Sequence, residues 1–340
     1  MSSKLQSVGE RVSITAAKAL AVLSERLRAA GCPRDSAQQV AEHLVDASLC
    51  GVESHGLMRV IQYIEQYQSG YMQAEASPEF RQLPSGSYEV DGNNGIGIPA
   101  MALATEKACE LAKQQGIAAI AIRNTGHTGR LGAYAENAAA QGCMTITMGG
   151  GNRKSWRQVA PFGGCKPMLP TNPYCIGIPG GKRGPVVLDF ATSKIAGGWV
   201  YAARSAGARL PEGVLIDPQG RPSIDPEDYY RGGAILPAGG AKGYAMALVA
   251  ELIAEAMLGP TTTECNWLMI ALNTANYRDP STMMEIAEEI LGEIRQSPPS
   301  EGFDRVEIPG ERERGQRQQS SDSIAVPRET WKQILALKAD

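Results

Sequence analysis

Only three histidines occur in 340 residues, so proton chemistry based on imidazole has few places to reside. Charge is close to balanced, at −3, and no strongly basic stretch stands out, which argues against a nucleic-acid partner. No run of about 18 apolar residues is present to span a membrane. The polar start Met1-Ser2-Ser3-Lys4 lacks the apolar core of a signal peptide. The seven cysteines (32, 50, 109, 143, 165, 175 and 265) are odd in number and never form a Cys-x-x-Cys pair. That pattern disfavours a disulfide framework and a zinc site. It predicts a reducing, cytoplasmic setting, with no metal and the thiols serving as small buried hydrophobes. Internal repeats and low-complexity tracts are absent, as are Gly-x-Gly-x-x-Gly after a strand and the P-loop pattern Gly-x-x-x-x-Gly-Lys-Ser/Thr.

What remains is an ordinary globular composition, 43% hydrophobic and 20% charged, in a chain long enough for two or three domains. The most informative stretch is Glu53-Ser54-His55-Gly56-Leu57-Met58-Arg59. If a helix begins at Ser54, His55 and Arg59 share one face. An imidazole beside a planar guanidinium suits a small carboxylate substrate, the arginine gripping it at two points. The structural alternative is a polar helix start whose histidine serves as a cap.

In chain order, Thr15 is predicted to cap a helix with Leu20, Leu23 and Leu27 on one face. A second helix follows from Asp35 or Ser36, with His43 off its apolar stripe as a surface or interface residue. The helix after the opening motif carries Val60, Tyr63, Ile64 and Tyr67 and stops at Ser69-Gly70. Tyr88–Gly95 reads as a strand and tight turn, Pro99–Gln115 as a helix and Ile117–Ile122 as a buried strand. The loop Arg123-Asn124-Thr125-Gly126-His127-Thr128-Gly129-Arg130 then sets a histidine between glycines ahead of a helix from Leu131, a position typical of binding groups. Cys143–Met148, Tyr174–Ile178 and Val186–Phe190 read as strands, with Gly149-Gly150-Gly151-Asn152 as a loop. Asp189 is either an N-cap for the segment that follows it or a group that orients a histidine. Residues 211–237 read as loop. Gly239-Gly240-Ala241-Lys242-Gly243 opens the most hydrophobic helix, expected to be buried on most sides, and its start could cradle a phosphate. Trp267–Leu272 reads as a strand, followed by a helix capped by Ser281. Pro309-Gly310-Glu311-Arg312-Glu313-Arg314 forms a charged turn, either a surface loop or one whose arginine reaches a nucleotide phosphate. The residues alone therefore indicate an α/β protein for a small acid and a phosphorylated cofactor.

Several motifs together resemble the type 2 malate/L-lactate dehydrogenase family, whose members are not Rossmann-fold enzymes. They are Glu53-Ser54-His55-Gly56, Gly126-His127-Thr128-Gly129-Arg130, Val159-Ala160-Pro161-Phe162-Gly163-Gly164, Thr171-Asn172-Pro173, Leu188-Asp189-Phe190-Ala191-Thr192-Ser193, Gly239-Gly240-Ala241-Lys242-Gly243-Tyr244 and Pro309-Gly310-Glu311-Arg312-Glu313. They follow the family's order over nearly the whole chain and are most similar to the hydroxycarboxylate dehydrogenase branch. The resemblance implies a mostly antiparallel cofactor sheet of non-Rossmann topology with a helical N-terminal region, in a homodimer. The expected division is 1–125 for the N-terminal substrate and dimer region, completed by 300–340, and 126–299 for the NAD(P)-binding domain. It also implies His55, His127 and Asp189 as catalytic residues, and Ser54 and Arg59 as substrate-binding ones. Gly151, Asp189, Phe190, Ala191, Lys242, Gly243 and Arg312 would meet the cofactor. Two departures concern substrate choice: Ala241 stands where a histidine is usual in the family, and Gly198-Trp199 where a Gly-Lys pair is usual.

The implied reaction is reversible hydride transfer between NAD or NADP and a 2-oxo/2-hydroxy carboxylate. Arg59 would fix the carboxylate, a histidine would protonate the forming alkoxide, and Asp189 would stabilise that histidine's cation. Reduction of a cyclic 2-imino acid at the same site is the alternative within enzymes. A catalytically silent, metabolite-binding family member is the alternative outside them.

Overall fold

The structure, a computed structural model, describes residues 10–152, 154–205 and 207–337. Three apolar cores organise it. The first joins the helices Ala16–Ala29, Arg34–Leu49 and Arg59–Gln68 to the C-terminal helix Arg328–Ala336, around Leu23, Leu27, Leu44 and Tyr63. A two-stranded antiparallel ribbon of Arg11–Thr15 with Ser323–Pro327 closes this layer. Thr15 caps the first helix as expected, its Oγ1 accepting from the Lys18 N–H at 3.2 Å.

The second core lies on a seven-stranded sheet. Its spatial order is Glu79–Gln82, Tyr88–Gly95, Ile117–Thr125, Cys265–Asn273, Cys143–Gly150, Tyr174–Ile178 and Val186–Phe190. Every neighbouring pair is antiparallel except Tyr88–Gly95 with Ile117–Thr125. That parallel step needs a crossover, supplied by the helix Gly97–Gln115. The expected boundary at 125/126 thus falls inside the sheet, because Ile117–Thr125 pairs along its length with Cys265–Asn273. A third core, around Val159, Val200, Leu215 and Ile235, underlies a small sheet made by residues 215–216, 222–223 and 234–235. Residues 211–237, read as loop from their proline and glycine content, therefore also hold the short helix Pro226–Tyr230, capped by Asp225.

Other departures have local causes. No helix starts at Ser54: Glu53–His55 is one 3₁₀ turn, Gly56 is extended, and the helix begins at Arg59. Gly149 and Gly150 continue the Cys143 strand because they pair with Trp267 and Asn266 across the sheet. Asp279, not Ser281, caps Pro280–Gln296. The charged turn at residue 309 runs on into a helix, Glu311–Gln319. The Ala241–Glu251 helix, continued by a π-helical segment Leu252–Met257, is not buried on most sides. Leu248, Val249, Leu252 and Met257 are 39–59% exposed along its outer face. Among the described residues no helix is long and apolar enough to cross a membrane, and no group of three His, Cys, Asp or Glu could hold a metal ion.

Candidate active site

A cleft of about 790 Å³ runs between the helical layer and the edge of the large sheet, a volume in the usual range for small-molecule sites. Ser54, His55, His127, Asp189, Glu264 and Arg312 are among the residues that line it. The two histidines, 72 positions apart in sequence, come together with ring centroids 5.3 Å apart.

His55 is held by the turn that carries it. Ser48 of the Arg34–Leu49 helix accepts the Leu57 N–H through Oγ at 3.0 Å, and a Cβ on Gly56 would lie 2.2 Å from that oxygen. Glycine is needed there for close approach of the backbone. Ser54 Oγ lies 3.0 Å from His55 Nδ1.

His127 is clamped at its backbone. Its carbonyl accepts from the Gly97 N–H at 3.0 Å, and the preceding Gly126 N–H donates to Gly95 at 2.8 Å. On the other side the Arg130 N–H donates to His43 Nε2 at 2.8 Å. His43 is thus a structural anchor for the histidine loop, stacked on Tyr134, and not the surface residue expected from the helical pattern. Gly129 has φ +72°, and a Cβ there would meet the His43 ring at 2.2 Å, so both conformation and space require glycine. The Arg130 side chain, almost fully buried, pairs with Asp46 and Glu136 at 2.9 Å each. It fastens the loop to the second helix.

His127 Nδ1 receives the Gly129 N–H at 3.2 Å and faces the Tyr63 hydroxyl at 2.7 Å. A backbone N–H can only donate, so Nδ1 is an acceptor and the neutral ring carries its proton on Nε2. All three histidines are held below their ordinary pKa, first by burial and then by nearby positive charge. His43 falls to about 4, His55 to about 3, and His127 well below the usual value. Arg59 is the largest charge contribution for both cleft histidines. Its Nε donates to the Ser54 carbonyl at 2.5 Å and its Nη1 to Gln62 Oε1. Arg59 thus stands behind the Ser54–His55 turn and is not itself among the lining residues.

Asp189 lies on the cleft wall, with Oδ2 accepting the Gly132 N–H at 2.7 Å. Neither sequence alternative is met: among the described residues the carboxylate caps no segment that follows it and bonds no histidine, and it serves instead the start of the distant helix Leu131–Ala140. Its carboxyl, open to the cleft but surrounded by protein, is pushed up to about 6. Burial is the main cause, opposed by the Gly132 N–H and Arg130. Phe190 and Ala191 continue the wall. Arg312 sits at the far rim, its Nε and Nη2 on Glu307 at 2.9 and 2.6 Å. Lys242 and Gly243, at the start of the Ala241–Glu251 helix, lie outside the lining, and so does Gly151, which follows the Cys143–Gly150 strand. The Gly151 N–H is committed to buried Glu251 at 2.9 Å, which also takes the Asn172 amide at 2.8 Å. Sequence reading missed Glu251, Tyr63 and Glu264. Tyr63 looked like one member of an apolar helix face, and no motif marks the two glutamates.

Residues 14–335 match the malate/L-lactate dehydrogenase family. A (2R)-3-sulfolactate dehydrogenase (NADP(+)) of Chromohalobacter salexigens is 33% identical over 330 residues, covering 93% of this chain and 94% of that protein. A Delta(1)-pyrroline-2-carboxylate/Delta(1)-piperideine-2-carboxylate reductase of Pseudomonas putida is 36% identical over 229 residues, 67% of this chain and 66% of that one. Among solved structures, the sulfolactate dehydrogenase of Methanocaldococcus jannaschii aligns with TM-score 0.83 and 30% identity over 95% of both chains. With a cleft holding two paired histidines in a mostly antiparallel, non-Rossmann sheet, and a match across nearly its full length, the chain belongs to the malate/L-lactate dehydrogenase family.

Proposed function

We propose that the chain is an NAD(P)-dependent oxidoreductase that interconverts a small 2-oxo acid and its 2-hydroxy acid, with His55 as the proton donor in reduction. The observation that carries this assignment is the difference between the two imidazoles. His127 Nδ1 is occupied by a backbone donor, which favours a neutral ring offering Nε2–H as a hydrogen bond to a carbonyl oxygen. His55 Nδ1 faces only a serine hydroxyl, which can turn from donor to acceptor, so His55 can carry a second proton. Its low proton affinity follows from burial and from Arg59. A substrate carboxylate entering the cleft beside the Ser54–His55 turn offsets the Arg59 charge behind it and raises the affinity of His55 for a proton as the substrate arrives.

The cleft suits a dinucleotide in its donor set. Leu188 presents 39% of its surface, Phe190 and Trp267 line the wall, and Trp267 Nε1 is buried without a partner, a donor ready for an amide or hydroxyl. Arg312 at the rim would meet a phosphate by turning from Glu307, its partner there. The bound nicotinamide supplies the hydride. Ser54 on the cleft wall orients the acid, Arg59 behind that turn supplies positive charge that favours its carboxylate, His127 polarises its oxygen and His55 delivers the proton. Asp189 fixes the start of the helix that follows the His127 loop.

The named activity of the Pseudomonas putida relative keeps reduction of cyclic 2-imino acids as the second reading. A cytoplasmic homodimer is our reading of the assembly, supported by the exposed apolar face of Leu248, Val249, Leu252 and Met257. The deciding assay follows oxidation of NADH and NADPH with a panel of 2-oxo acids and cyclic imino acids. Turnover of oxo acids is expected. Turnover of imines alone would favour the second reading, and ligand binding without any turnover would favour a silent family member.

A further inference from the structure

Glu264 enters the cleft from the start of the Cys265–Asn273 strand. Its N–H donates to the Thr125 carbonyl at 3.2 Å, so it sits beside the segment that leads into His127. Its carboxylate lines the same cleft as both histidines. Oε2 is fully buried, and no hydrogen bond or ion pair reaches the carboxylate among the described residues. The titratable and charged groups that face it are Arg59, Tyr63, Tyr71 and Cys265. Arg59 is turned toward Ser54 and Gln62 and makes no ion pair with it. A buried acceptor with no donor in the protein is an unfavourable arrangement that a ligand donor relieves.

We propose that Glu264 selects among substrates. It accepts a hydrogen bond from a hydroxyl or protonated nitrogen on a monocarboxylic 2-oxo or 2-imino acid, and it excludes acids that carry a second anion. The inference rests on the functional reading above and narrows its substrate class. Exclusion follows from charge: a second carboxylate or a sulfonate would lie near a carboxylate that makes no ion pair, the nearby Arg59 being held by Ser54 and Gln62. Specificity of this kind arises from repulsion of the wrong ligand as much as from attraction of the right one. Burial holds the Glu264 carboxyl above its ordinary pKa, with Arg59 opposing. A donor arriving with the substrate stabilises the ionised form.

The test compares kcat/KM for pyruvate, hydroxypyruvate, Δ1-piperideine-2-carboxylate, oxaloacetate and 3-sulfopyruvate in the parent protein, Glu264→Gln and Glu264→Ala. In the parent, the substrates bearing a donor should exceed the two dianions by about tenfold or more. In both variants the ratio of dianion to pyruvate should rise by a similar factor, while the ratio of hydroxypyruvate to pyruvate falls. Ratios within one variant cancel any loss of folded enzyme, which thermal melts would record. Unaltered ratios in both variants would overturn the proposal, as would a parent that prefers dianions. So would weaker NADH or NADPH binding in Glu264→Gln with fixed substrate ratios, because Glu264 would then meet the cofactor. Pyruvate turnover with unchanged ratios removes only this inference. No turnover of any acid by the parent removes the functional reading and this inference with it.

Discussion

The two cleft histidines have the same ring and nearly the same burial, yet their hydrogen bonds give them different chemistry. A backbone N–H at Nδ1 makes His127 a fixed donor through Nε2, while a rotatable hydroxyl leaves His55 free to gain a proton. Replacing His55 with Ala should lower kcat by about two to four powers of ten and leave the cofactor Kd nearly unchanged. His127→Ala should raise KM as well as lower kcat, since it removes a contact made to the ground-state carbonyl. Should His127→Ala alone abolish the basic limb of the pH profile for reduction, the two roles are reversed. Arg59→Lys should raise KM strongly at similar cofactor affinity, because a point charge cannot reproduce the planar guanidinium that holds the Ser54 carbonyl and Gln62 together behind the His55 turn. Parent-like kinetics in that variant would mean that Arg59 does not act on the substrate through this turn.

At the scale of elements, the site depends on one loop and what fastens it. Residues 126–130 cross from the Ile117–Thr125 strand to the Leu131–Ala140 helix, and contacts from outside that unit fix their course. Gly95 and Gly97 hold one end, and His43 with the Arg130 ion pairs holds the other. His43→Ala would leave the Arg130 N–H buried and unpaired, costing roughly 1–3 kcal/mol. A lower Tm is expected together with a reduced kcat/KM, although His43 touches no substrate. Activity unchanged alongside a lower Tm would separate the loop anchor from catalysis.

For the whole molecule, the three neutral histidines set a common acid response. An unfolded histidine titrates near 6.5, whereas His43 and His55 in the folded chain titrate at about 4 and about 3, and His127 lower than usual. The unfolded state therefore binds more protons below about pH 6.5, and the stability these residues contribute above that pH is lost as pH falls toward 4 and below. Asp189 acts in the opposite sense. Its pKa, raised to about 6, gives stability at low pH that is lost as pH rises through 6; Glu264, also raised by burial, acts with it, but these are two groups against three. Melting temperature should fall between pH 7 and pH 5, and a flat or rising profile would show that the histidines are not held neutral. The assembly has its own test. Leu252→Glu places a charge on the exposed apolar face, and light scattering should change from a dimer mass to a monomer mass. A parent that is already monomeric would refute the dimer.

Local sequence was sufficient where short-range chemistry decides. Thr15 ahead of an apolar 3.6-residue pattern specified the first helix and its cap, and the apolar run after Gly116 specified the strand from Ile117. The ordered set of motifs specified the family, while of the site residues it implied Ser54, His55, His127, Asp189, Phe190, Ala191 and Arg312 line the cleft and Arg59, Gly151, Lys242 and Gly243 do not. Local sequence misled where a distant partner decides. Gly149 and Gly150 are strand residues because Trp267 and Asn266 lie beside them, which outweighs glycine's poor strand propensity. His43 is a loop anchor because Gly129 leaves room for its ring against the Arg130 N–H. The Gly129 N–H on His127 Nδ1 is a contact two residues away, but the Tyr63 hydroxyl facing it and the unpartnered Glu264 carboxylate exist only once the sheet and the helical layer have come together. A residue's type fixes what chemistry it can offer, but burial, distant partners and the partners it lacks are set by the tertiary structure.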